Sequence, residues 1–336
     1  MRKFTFDKFG LKNLKLVHAE PEPLPPTGCV RVGLTALSLN YRDLLVLRGS
    51  YNPKLALPAT PISDAAGVVS EVSAGVTRFK VGDPVVTHAV SRWIDGPCQA
   101  DYKSSMLGCP EPGMGAEQVV LPADALLPLP EGYDFAQAAT LPIAALTAWS
   151  ALVTEGDVQP GQCVLTLGTG GVSIFALQLA KALGAKVIIT SSSDEKLARA
   201  AQLGADHTIN YTTNPKWDTE VRRLQSGLGV DLTVETIGSA TFGQSLRATR
   251  TNGIIALVGA LHGLACEVNL AHILMNRIHV AGIFVDSRAA FEDLIRFIEQ
   301  HRIHPVIDRR FPFDELPRAL EYLAAGRHFG KIVVEI

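Results

Sequence analysis

The chain has 336 residues, of which 47% are hydrophobic, which is enough for two domains with ample apolar cores. Its formal charge of −2, from 31 basic and 33 acidic residues, excludes the basic excess with which proteins bind nucleic acids or anionic membranes. Five cysteines, odd in number and never spaced CxxC, argue against both a disulfide framework and a cysteine-rich zinc lobe.

The amino-terminal part of the chain, residues 1–123, predicts a β-rich domain. Short alternating runs such as CVRVGLTA and GVVSEV are separated by proline and glycine. The start, MRKFTFDKFGLKN, lacks the apolar run of a signal peptide, and no apolar run is long enough to span a bilayer, so we expect a cytoplasmic protein. Residues 91–113 form a long predicted loop, whose Trp93 and Ile94 either cover a substrate cleft or pack against the domain.

The middle of the chain centres on one strand–turn–helix unit, CVLTLGTGGVSIFALQLAKALGA, at residues 163–185. An apolar strand leads into a turn made by Gly168, Gly170 and Gly171, and a helix that is apolar nearly all round follows. Glycines let the backbone approach a pyrophosphate at the helix start, where the helix dipole favours an anion. Ser173 replaces the third glycine of the fingerprint GxGxxG, so the motif alone is also compatible with an ordinary tight turn.

Strands and helices alternate after this unit. The predicted strands are uniformly apolar, which indicates a parallel sheet covered by helices on both faces. They lie at residues 186–190, 206–211, 231–237, 253–258 and 279–285. Ser192 and Glu195 are expected to form a capping box at the start of the helix after the first of them. The pattern predicts an α/β fold with a doubly wound parallel (Rossmann) sheet, in which the glycine turn lies where dinucleotides bind.

The last part of the chain predicts two helices and a strand. Apolar residues recur at helical spacing around residues 291–298. Asp314 is expected to cap a second helix with an apolar face, and residues 331–336, KIVVEI, predict a final strand.

Four segments of the chain resemble, in this order, the medium-chain dehydrogenase/reductase superfamily: SLNYRDLLVLRGSYNP, PATPISDAAGVVSEVSAGVTRFKVGDPVV, GMGAEQVVLPADALLPLPEGYDFAQAATLPIAALTAWSAL and GTGGVSIFALQLAKALGA. Within it, the chain is most similar to the zinc-free branch of quinone oxidoreductases and zeta-crystallins. The resemblance implies a GroES-like catalytic domain formed by residues 1–123 and 287–336, with a Rossmann dinucleotide-binding domain of residues 124–286 inserted between them.

The resemblance also bears on metal binding. Zinc-dependent relatives have a cysteine where this chain has Asn40, a histidine where it has Ser63, and a second cysteine where it has Ile143. Catalytic zinc requires His, Cys or carboxylate ligands, and the nine histidines include no HExxH motif that would supply another site. We therefore predict an enzyme without a metal ion.

Without a Lewis acid, the reaction would depend on positioning and on hydrogen-bond donors at the substrate oxygen. The candidate catalytic residues are Asn40, Tyr41, Asp43 and Tyr51. The resemblance matches Tyr51 to a tyrosine that enoyl-thioester-reducing relatives use as a proton donor, and Asn40 to a metal ligand that faces the reacting carbon. Asp43 could instead cap the following helix, and the two tyrosines could be packed core residues.

The end of the second strand of the nucleotide-binding domain favours NADP(H), with NAD(H) as the alternative. NAD-specific sites usually have an acidic residue there, whereas this chain has serines that can donate to a 2′-phosphate. Lys196 could pair with that phosphate or be an ordinary solvated lysine, and the resemblance matches Tyr211 to a phosphate contact in NADPH-using quinone reductases. The predicted cofactor contacts are Thr147, Gly168, Thr169, Gly170, Gly171, Val172, Ser191, Ser192, Lys196, Tyr211, Val258, Gly259 and Lys331.

Three functions remain open at this point. The first is NADPH-dependent, metal-free hydride transfer to a quinone, an enone or another activated carbonyl or alkene. The second is a zinc-free NAD(P)-dependent alcohol dehydrogenase or carbonyl reductase, and the third is a non-enzymatic NADPH-binding protein of the crystallin type. We expect a small-molecule substrate and a homodimer, because the apolar strand at residues 279–285 would otherwise be left bare.

Overall fold

The computed structural model describes residues 1–25, 27–259, 261 and 263–336. They form two compact units: unit 1 is Met1–Ala144 with Asp286–Ile336, and unit 2 is Ala145–Val285. None of the helices in these described ranges combines the length and the hydrophobicity that crossing a membrane requires.

The described residues form fifteen strands and ten α-helices. The first part of unit 1 contains β1 (Arg2–Phe6), β2 (Leu14–His18), β3 (Cys29–Ser38), α1 (Tyr41–Leu47), β4 (Asp64–Val72), β5 (Pro84–Thr87), β6 (Gln118–Pro122), β7 (Leu126–Pro128) and α2 (Phe135–Ala138). Unit 2 contains α3 (Leu146–Trp149), β8 (Cys163–Leu167), α4 (Gly171–Ala182), β9 (Lys186–Ser191), α5 (Asp194–Gln202), β10 (His207–Asn210), α6 (Trp217–Leu224), β11 (Val230–Glu235), α7 (Phe242–Ala248), β12 (Thr249–Leu257), α8 (Ala271–Asn276) and β13 (His279–Gly282). The second part of unit 1 contains α9 (Arg288–His301), β14 (Ile307–Pro312), α10 (Leu316–Ala324) and β15 (Lys331–Glu335).

The main sheet of unit 1 joins strands from both ends of the chain. Its strand order is β14-β15-β3-β4-β5-β7, and β6 also pairs with β3. β3 is antiparallel to both of its neighbours in this order, so that Ser38 lies opposite Val333 of β15 on one side and opposite Asp64 of β4 on the other. Apolar side chains of these strands pack with those of α1 and α10 in one core. The predicted final strand is confirmed, and it brings the carboxyl terminus next to β3.

Unit 2 is built on a parallel sheet with the order β10-β9-β8-β11-β12-β13. All five residues of β8 are buried, as a strand covered by helices on both faces requires. β8 is the first of these strands along the chain and lies between β9 and β11, so its carboxyl end is the point where the winding reverses. The predicted doubly wound α/β sheet is therefore confirmed.

Two helices begin differently from the prediction. The side chain of Ser193, not that of Ser192, accepts a hydrogen bond from the Lys196 N–H at the start of α5. Asp314 does not cap α10, because it lies in a 3₁₀ turn, Phe313–Glu315, that precedes this helix. Neighbouring polar residues compete for a cap position, and only the backbone conformation, extended at Ser193, selects one of them.

Two boundaries also differ from the prediction. β13 ends at Gly282 rather than at residue 285, and Val285 itself has a φ of +46°, which is incompatible with an extended strand. Residues 124–144 belong to unit 1, although the sequence placed them in the nucleotide-binding domain. The reason is that β7 pairs with β5 and extends the sheet of unit 1.

β3 and β4 approach each other too closely at one point for a side chain. A Cβ atom on Gly67 would lie 2.1 Å from the carbonyl oxygen of Gly33, whereas a Cβ atom on Gly33 would meet only the carbonyl oxygen of Val68, at 3.8 Å. We expect Gly67→Ala to lower the free energy of unfolding by about 2 kcal/mol or more, as overpacking does. Gly33→Ala is the matched control and should leave the free energy of unfolding unchanged or slightly raised. Urea unfolding of both variants measures the difference, and equal stability of the two would contradict this account of the strand contact.

Candidate active site

Three polar side chains meet in the interior of unit 1. Asn40 follows β3, Asp64 begins β4 and Lys331 begins β15, and β3 lies between the other two strands in the sheet. The Lys331 ammonium donates to Asn40 Oδ1 and to the carbonyl oxygen of Leu39, each at 2.7 Å. The Asn40 amide nitrogen in turn donates to Asp64 Oδ2 at 2.8 Å. Only 9% of Asn40 and 3% of Lys331 are exposed, and Asp64 is fully buried, so these three residues form a buried polar cluster.

A second set of contacts links this cluster to Arg42. Asp43, the third residue of α1, accepts the backbone N–H of Asn40 at 2.8 Å and the Ser63 hydroxyl at 3.1 Å. Arg42 donates to the Ser63 hydroxyl and to two carbonyl oxygens of a neighbouring loop, those of Leu107 and Cys109. Asp43 is therefore not the N-cap residue that the sequence left open, because Asn40 has that position; Asp43 contributes to the cap from the third helical position.

Burial dominates the electrostatics of the cluster. Loss of solvation raises the pKa of Asp64 to about 7 against the opposing effect of the Lys331 charge. The same cause raises the pKa of Asp43 and lowers the pKa of Lys331. Asp64 Oδ1 is buried and has no hydrogen-bond partner among the described residues. The cluster therefore contains a carboxyl group that can carry a proton at neutral pH.

The two candidate tyrosines have different surroundings. Tyr51 is 41% exposed, and the guanidinium carbon of Arg42 lies 4.8 Å from the centre of its ring, within the range of a cation–π contact. Tyr41 is half-buried and packs against the core of unit 1. The packed-core alternative therefore applies to Tyr41, whereas the exposed Tyr51 is available to a ligand.

The long loop of residues 91–113 packs against unit 1. Trp93 is buried, donates its ring N–H to the Gly96 carbonyl oxygen at 2.8 Å and stacks on Tyr102. The carbonyl oxygens of Trp93 and Ile94 accept backbone N–H groups at the start of α9. Of the two positions that the sequence left open for Trp93, the packed one is observed.

Unit 2 contains a pocket of about 350 Å³ at the carboxyl ends of its strands. This is the place where parallel sheets of this topology bind dinucleotides, and the volume suits part of such a ligand. Gly168 lines it with a φ of +74°, which a glycine adopts without strain, and α4 begins three residues later. The lining residues are Leu167, Gly168, Thr190, Tyr211, Pro215, Trp217, Ile237, Ala240, Thr241 and Gln244.

Two of the predicted cofactor residues, Gly168 and Tyr211, line this pocket. Ser191 is buried and its hydroxyl accepts the Ser193 N–H at 3.3 Å, whereas Ser192 is exposed. Lys196 is half-buried in the first turn of α5. The other predicted residues of unit 2 do not line the pocket; these are Thr147, Thr169, Gly170, Gly171, Val172, Val258 and Gly259.

Gly259 has a structural explanation. A Cβ atom there would lie 2.6 Å from the carbonyl oxygen of Thr236, and the N–H groups of Val258 and Gly259 both donate to the carbonyl oxygen of Glu235. The close packing of the chain segments after β11 and β12 therefore requires a glycine. Lys331, also predicted to bind the cofactor, lies instead in unit 1, where its ammonium is bonded to Asn40.

Several pocket residues were missed from the sequence. Pro215 and Trp217 follow β10, and Ile237, Thr241 and Gln244 follow β11. The available signal was their position after a predicted parallel strand, because the carboxyl ends of such strands share one edge of the sheet. Asp64 was missed as well, since an acidic residue at the start of a strand has no distinctive local pattern.

The three positions that match zinc ligands carry other side chains, and each of these residues makes contacts within unit 1. The Asn40 oxygen accepts from an ammonium group, Ser63 bonds to Asp43, and Ile143 offers only its backbone N–H, which donates to Asp64 at 3.3 Å. No group of three or more His, Cys, Asp or Glu side chains within the described ranges could hold a metal ion.

Comparison with known proteins places these features in a family. Residues 26–131 match the family model described as alcohol dehydrogenase GroES-like domain, and residues 171–300 match that of zinc-binding dehydrogenase. The chain is 43% identical to a zinc-type alcohol dehydrogenase-like protein of Schizosaccharomyces pombe, over 97% of this chain and 96% of the relative. It is 33% identical to a quinone oxidoreductase of Pseudomonas aeruginosa, over 94% and 92% of the two chains.

A solved structure extends the likeness to the whole fold. The structure of an NAD-dependent alcohol dehydrogenase superposes with a TM-score of 0.93 at 36% identity and covers 100% of both chains. Unit 1 thus contains the GroES-like domain and unit 2 the Rossmann-like sheet. The chain therefore belongs to the medium-chain dehydrogenase/reductase family of oxidoreductases.

Proposed function

We propose that this enzyme is an NADPH-dependent oxidoreductase that reduces a quinone, an enone or another activated carbonyl or alkene without a metal ion. The observation that carries the proposal is the Asn40 amide, bonded to Lys331 and Asp64 at the position where zinc-dependent relatives have a cysteine. Reduced nicotinamide supplies the hydride when it is bound. Family membership argues against the non-enzymatic alternative.

The cluster does not suit a metal ion for electrostatic reasons. A cation at Asn40 would have to replace the Lys331 ammonium, which already lies 2.7 Å from the only oxygen of that side chain. The amide nitrogen donates hydrogen bonds and is not a zinc ligand. We infer that Asn40 instead donates to the substrate oxygen, where a donor is worth about 3 kcal/mol as negative charge develops. Tyr51, exposed beside Arg42, is the candidate proton donor.

Such a donor favours electron-poor acceptors. Quinones and enones accept a hydride without strong polarisation of their oxygen, whereas oxidation of an unactivated alcohol needs a group that lowers the hydroxyl pKa. In the described cluster, burial raises the pKa of Asp64 to about 7, but this carboxyl group is fully buried and bonded to Asn40. The geometry therefore supports the reductive direction with activated substrates.

The second candidate is an NAD-dependent alcohol dehydrogenase. Asp194 accepts a hydrogen bond from the Asn210 amide at 2.7 Å, next to Tyr211 of the pocket. A carboxylate in this region would favour a ribose hydroxyl over a phosphate. The likeness to the NAD-dependent alcohol dehydrogenase points the same way.

The proposed reaction can be tested with one substrate panel. After dialysis against a chelator, we expect the enzyme to reduce quinones and enones with NADPH at an undiminished rate and to contain no stoichiometric zinc. About one tightly bound zinc per chain, with activity that is lost to the chelator and restored by zinc, would refute the metal-free mechanism. Faster oxidation of alcohols with NAD than reduction of any quinone or enone would select the second candidate.

Cofactor preference depends on the first turn of α5. If Lys196 pairs with the 2′-phosphate, Lys196→Ala should weaken NADPH binding about ten-fold and leave NADH binding unchanged, because a hydrogen bond to a charged group is worth about 1.5 kcal/mol or more. Arg199→Ala, one turn further along the same helix, is the control for a general loss of positive charge. Calorimetric titration of both cofactors decides the question. Equal losses for the two cofactors, or tighter binding of NADH than NADPH by the unaltered enzyme, would exclude an NADP-specific site.

The raised pKa of Asp64 has a consequence for stability. Its folded-state pKa of about 7 lies above the ordinary value of 3.8, so the folded state retains a proton that the unfolded chain loses. The contribution of Asp64 to the free energy of unfolding is therefore fully present below about pH 4 and is lost as the pH rises to about 7. Asp64→Asn cannot titrate, so its stability relative to the unaltered enzyme should increase between these limits. Urea unfolding at pH 5 and pH 8 measures this, and a difference independent of pH would contradict it.

A further inference from the structure

We infer that Lys331 and Asp64 are positioning residues, which fix the Asn40 amide with its nitrogen as the donor to the substrate oxygen. This inference rests on the proposed function, in which Asn40 makes that contact. It gives a role to a buried lysine near the carboxyl terminus that the sequence assigned to the cofactor.

Charge fixes the orientation of the amide. Lys331 has only donors, so the amide oxygen must face the ammonium. Asp64 Oδ2 already accepts the Ile143 N–H, so any proton on this carboxyl group is on Oδ1, and the amide nitrogen must face Oδ2. Rotation of the amide by 180° would place its NH₂ group against the ammonium and its oxygen against the carboxylate. Both hydrogen bonds would be lost, and both replacing contacts would be repulsive.

This orientation leaves one N–H of Asn40 for a ligand. The amide nitrogen carries two hydrogens, and one of them is donated to Asp64. The second takes part in neither of the two bonds that hold the amide in the cluster. Because Asn40 retains 9% of its surface exposed while both of its partners are more deeply buried, Asn40 is the residue of the cluster that is most accessible to a substrate.

The two partners are held by the sheet rather than by flexible loops. Lys331 begins β15, its backbone N–H is bonded to the Val306 carbonyl oxygen at 2.9 Å, and its ammonium is also bonded to Leu39. Asp64 begins β4 and also accepts the N–H of Ile143. Both flanking strands are paired with β3, so the distance across the amide is set by strand spacing.

Substitutions of Lys331 separate positioning from cofactor binding. Lys331→Met removes the donor to Asn40, whereas Lys331→Gln, of similar length and equally uncharged, keeps an amide that can donate to the same oxygen. We expect the Met variant to lose about ten-fold in kcat for the reduction of the preferred acceptor, the equivalent of one charge-assisted hydrogen bond, and the Gln variant to stay within about three-fold of the unaltered enzyme. Neither should change the Kd for NADPH by more than about two-fold.

A double-mutant cycle tests whether Lys331 acts through Asn40. If it does, Lys331→Met should cause no further loss of kcat in the Asn40→Ala background. Additive losses, equal losses in the Met and Gln variants, or a weaker NADPH complex in both would overturn the inference, the last in favour of a direct cofactor contact. An unaltered kcat in Asn40→Ala with every acceptor of the panel would refute the proposed function itself, and the inference with it.

Asp64 supplies a second pair of variants in case the lysine variants fail to fold. Asp64→Asn keeps an oxygen that can accept from the Asn40 amide, and we expect it to keep kcat within about three-fold. Asp64→Leu, which branches at the same carbon, removes the acceptor and should lower kcat about ten-fold. Equal activity of these two variants would overturn the positioning role of Asp64. NADPH titration of each variant shows whether the dinucleotide-binding unit is intact.

Discussion

The burial of the Lys331 ammonium and the Asp64 carboxyl group beside Asn40 constrains the whole of unit 1. Removing an ion from water costs several kcal/mol even in a relaxed protein, and only well-formed hydrogen bonds offset that cost. The Lys331 ammonium donates to two oxygen acceptors, and one oxygen of Asp64 accepts hydrogen bonds from two N–H donors. The two groups and their partners come from β4, β15, the residues that follow β3 and the chain near residue 143. The cluster can therefore form only when the carboxyl-terminal strand has returned to the sheet that the amino-terminal part of the chain builds.

In unit 2, a buried carboxylate stabilises the chain segment that lines the pocket at the edge of the sheet. Glu235, at the end of β11, is fully buried and accepts the N–H groups of Ile237 and Gly238 and the hydroxyl of Thr241 through one oxygen. Its second oxygen accepts the hydroxyl of Ser245. Ile237 and Thr241 line the pocket. A carboxylate that makes four hydrogen bonds thus fixes a segment whose backbone would otherwise have unsatisfied donors.

The elements of this fold follow from local patterns far more readily than the site does. A parallel sheet is predicted by sequence windows of about ten residues, namely the strand–glycine–helix unit and the apolar strands that follow it. Helix caps were harder to predict, because Ser192 and Ser193 have the same side chain, and the extended backbone at Ser193 makes that residue the cap. The bond between Asn40 and Lys331 joins residues 291 positions apart, and no local pattern encodes it. The sequence offered both residues as candidates, but it assigned the lysine to the cofactor because its partner was not visible.

In the proposed mechanism, an amide serves at a position where the resemblance implies a metal ligand, and this choice limits the range of substrates. When Lys331 donates to the Asn40 oxygen, it draws electron density from the amide and strengthens the donors on its nitrogen, as hydrogen bonds in a chain polarise one another. The positive charge thus reaches the proposed substrate oxygen through a neutral group rather than by direct coordination. A neutral donor lowers the barrier by about 3 kcal/mol, which suffices for acceptors that are already electron-poor. A metal ion would also acidify a bound hydroxyl, and the amide cannot do so, because it has no charge of its own to stabilise an alkoxide.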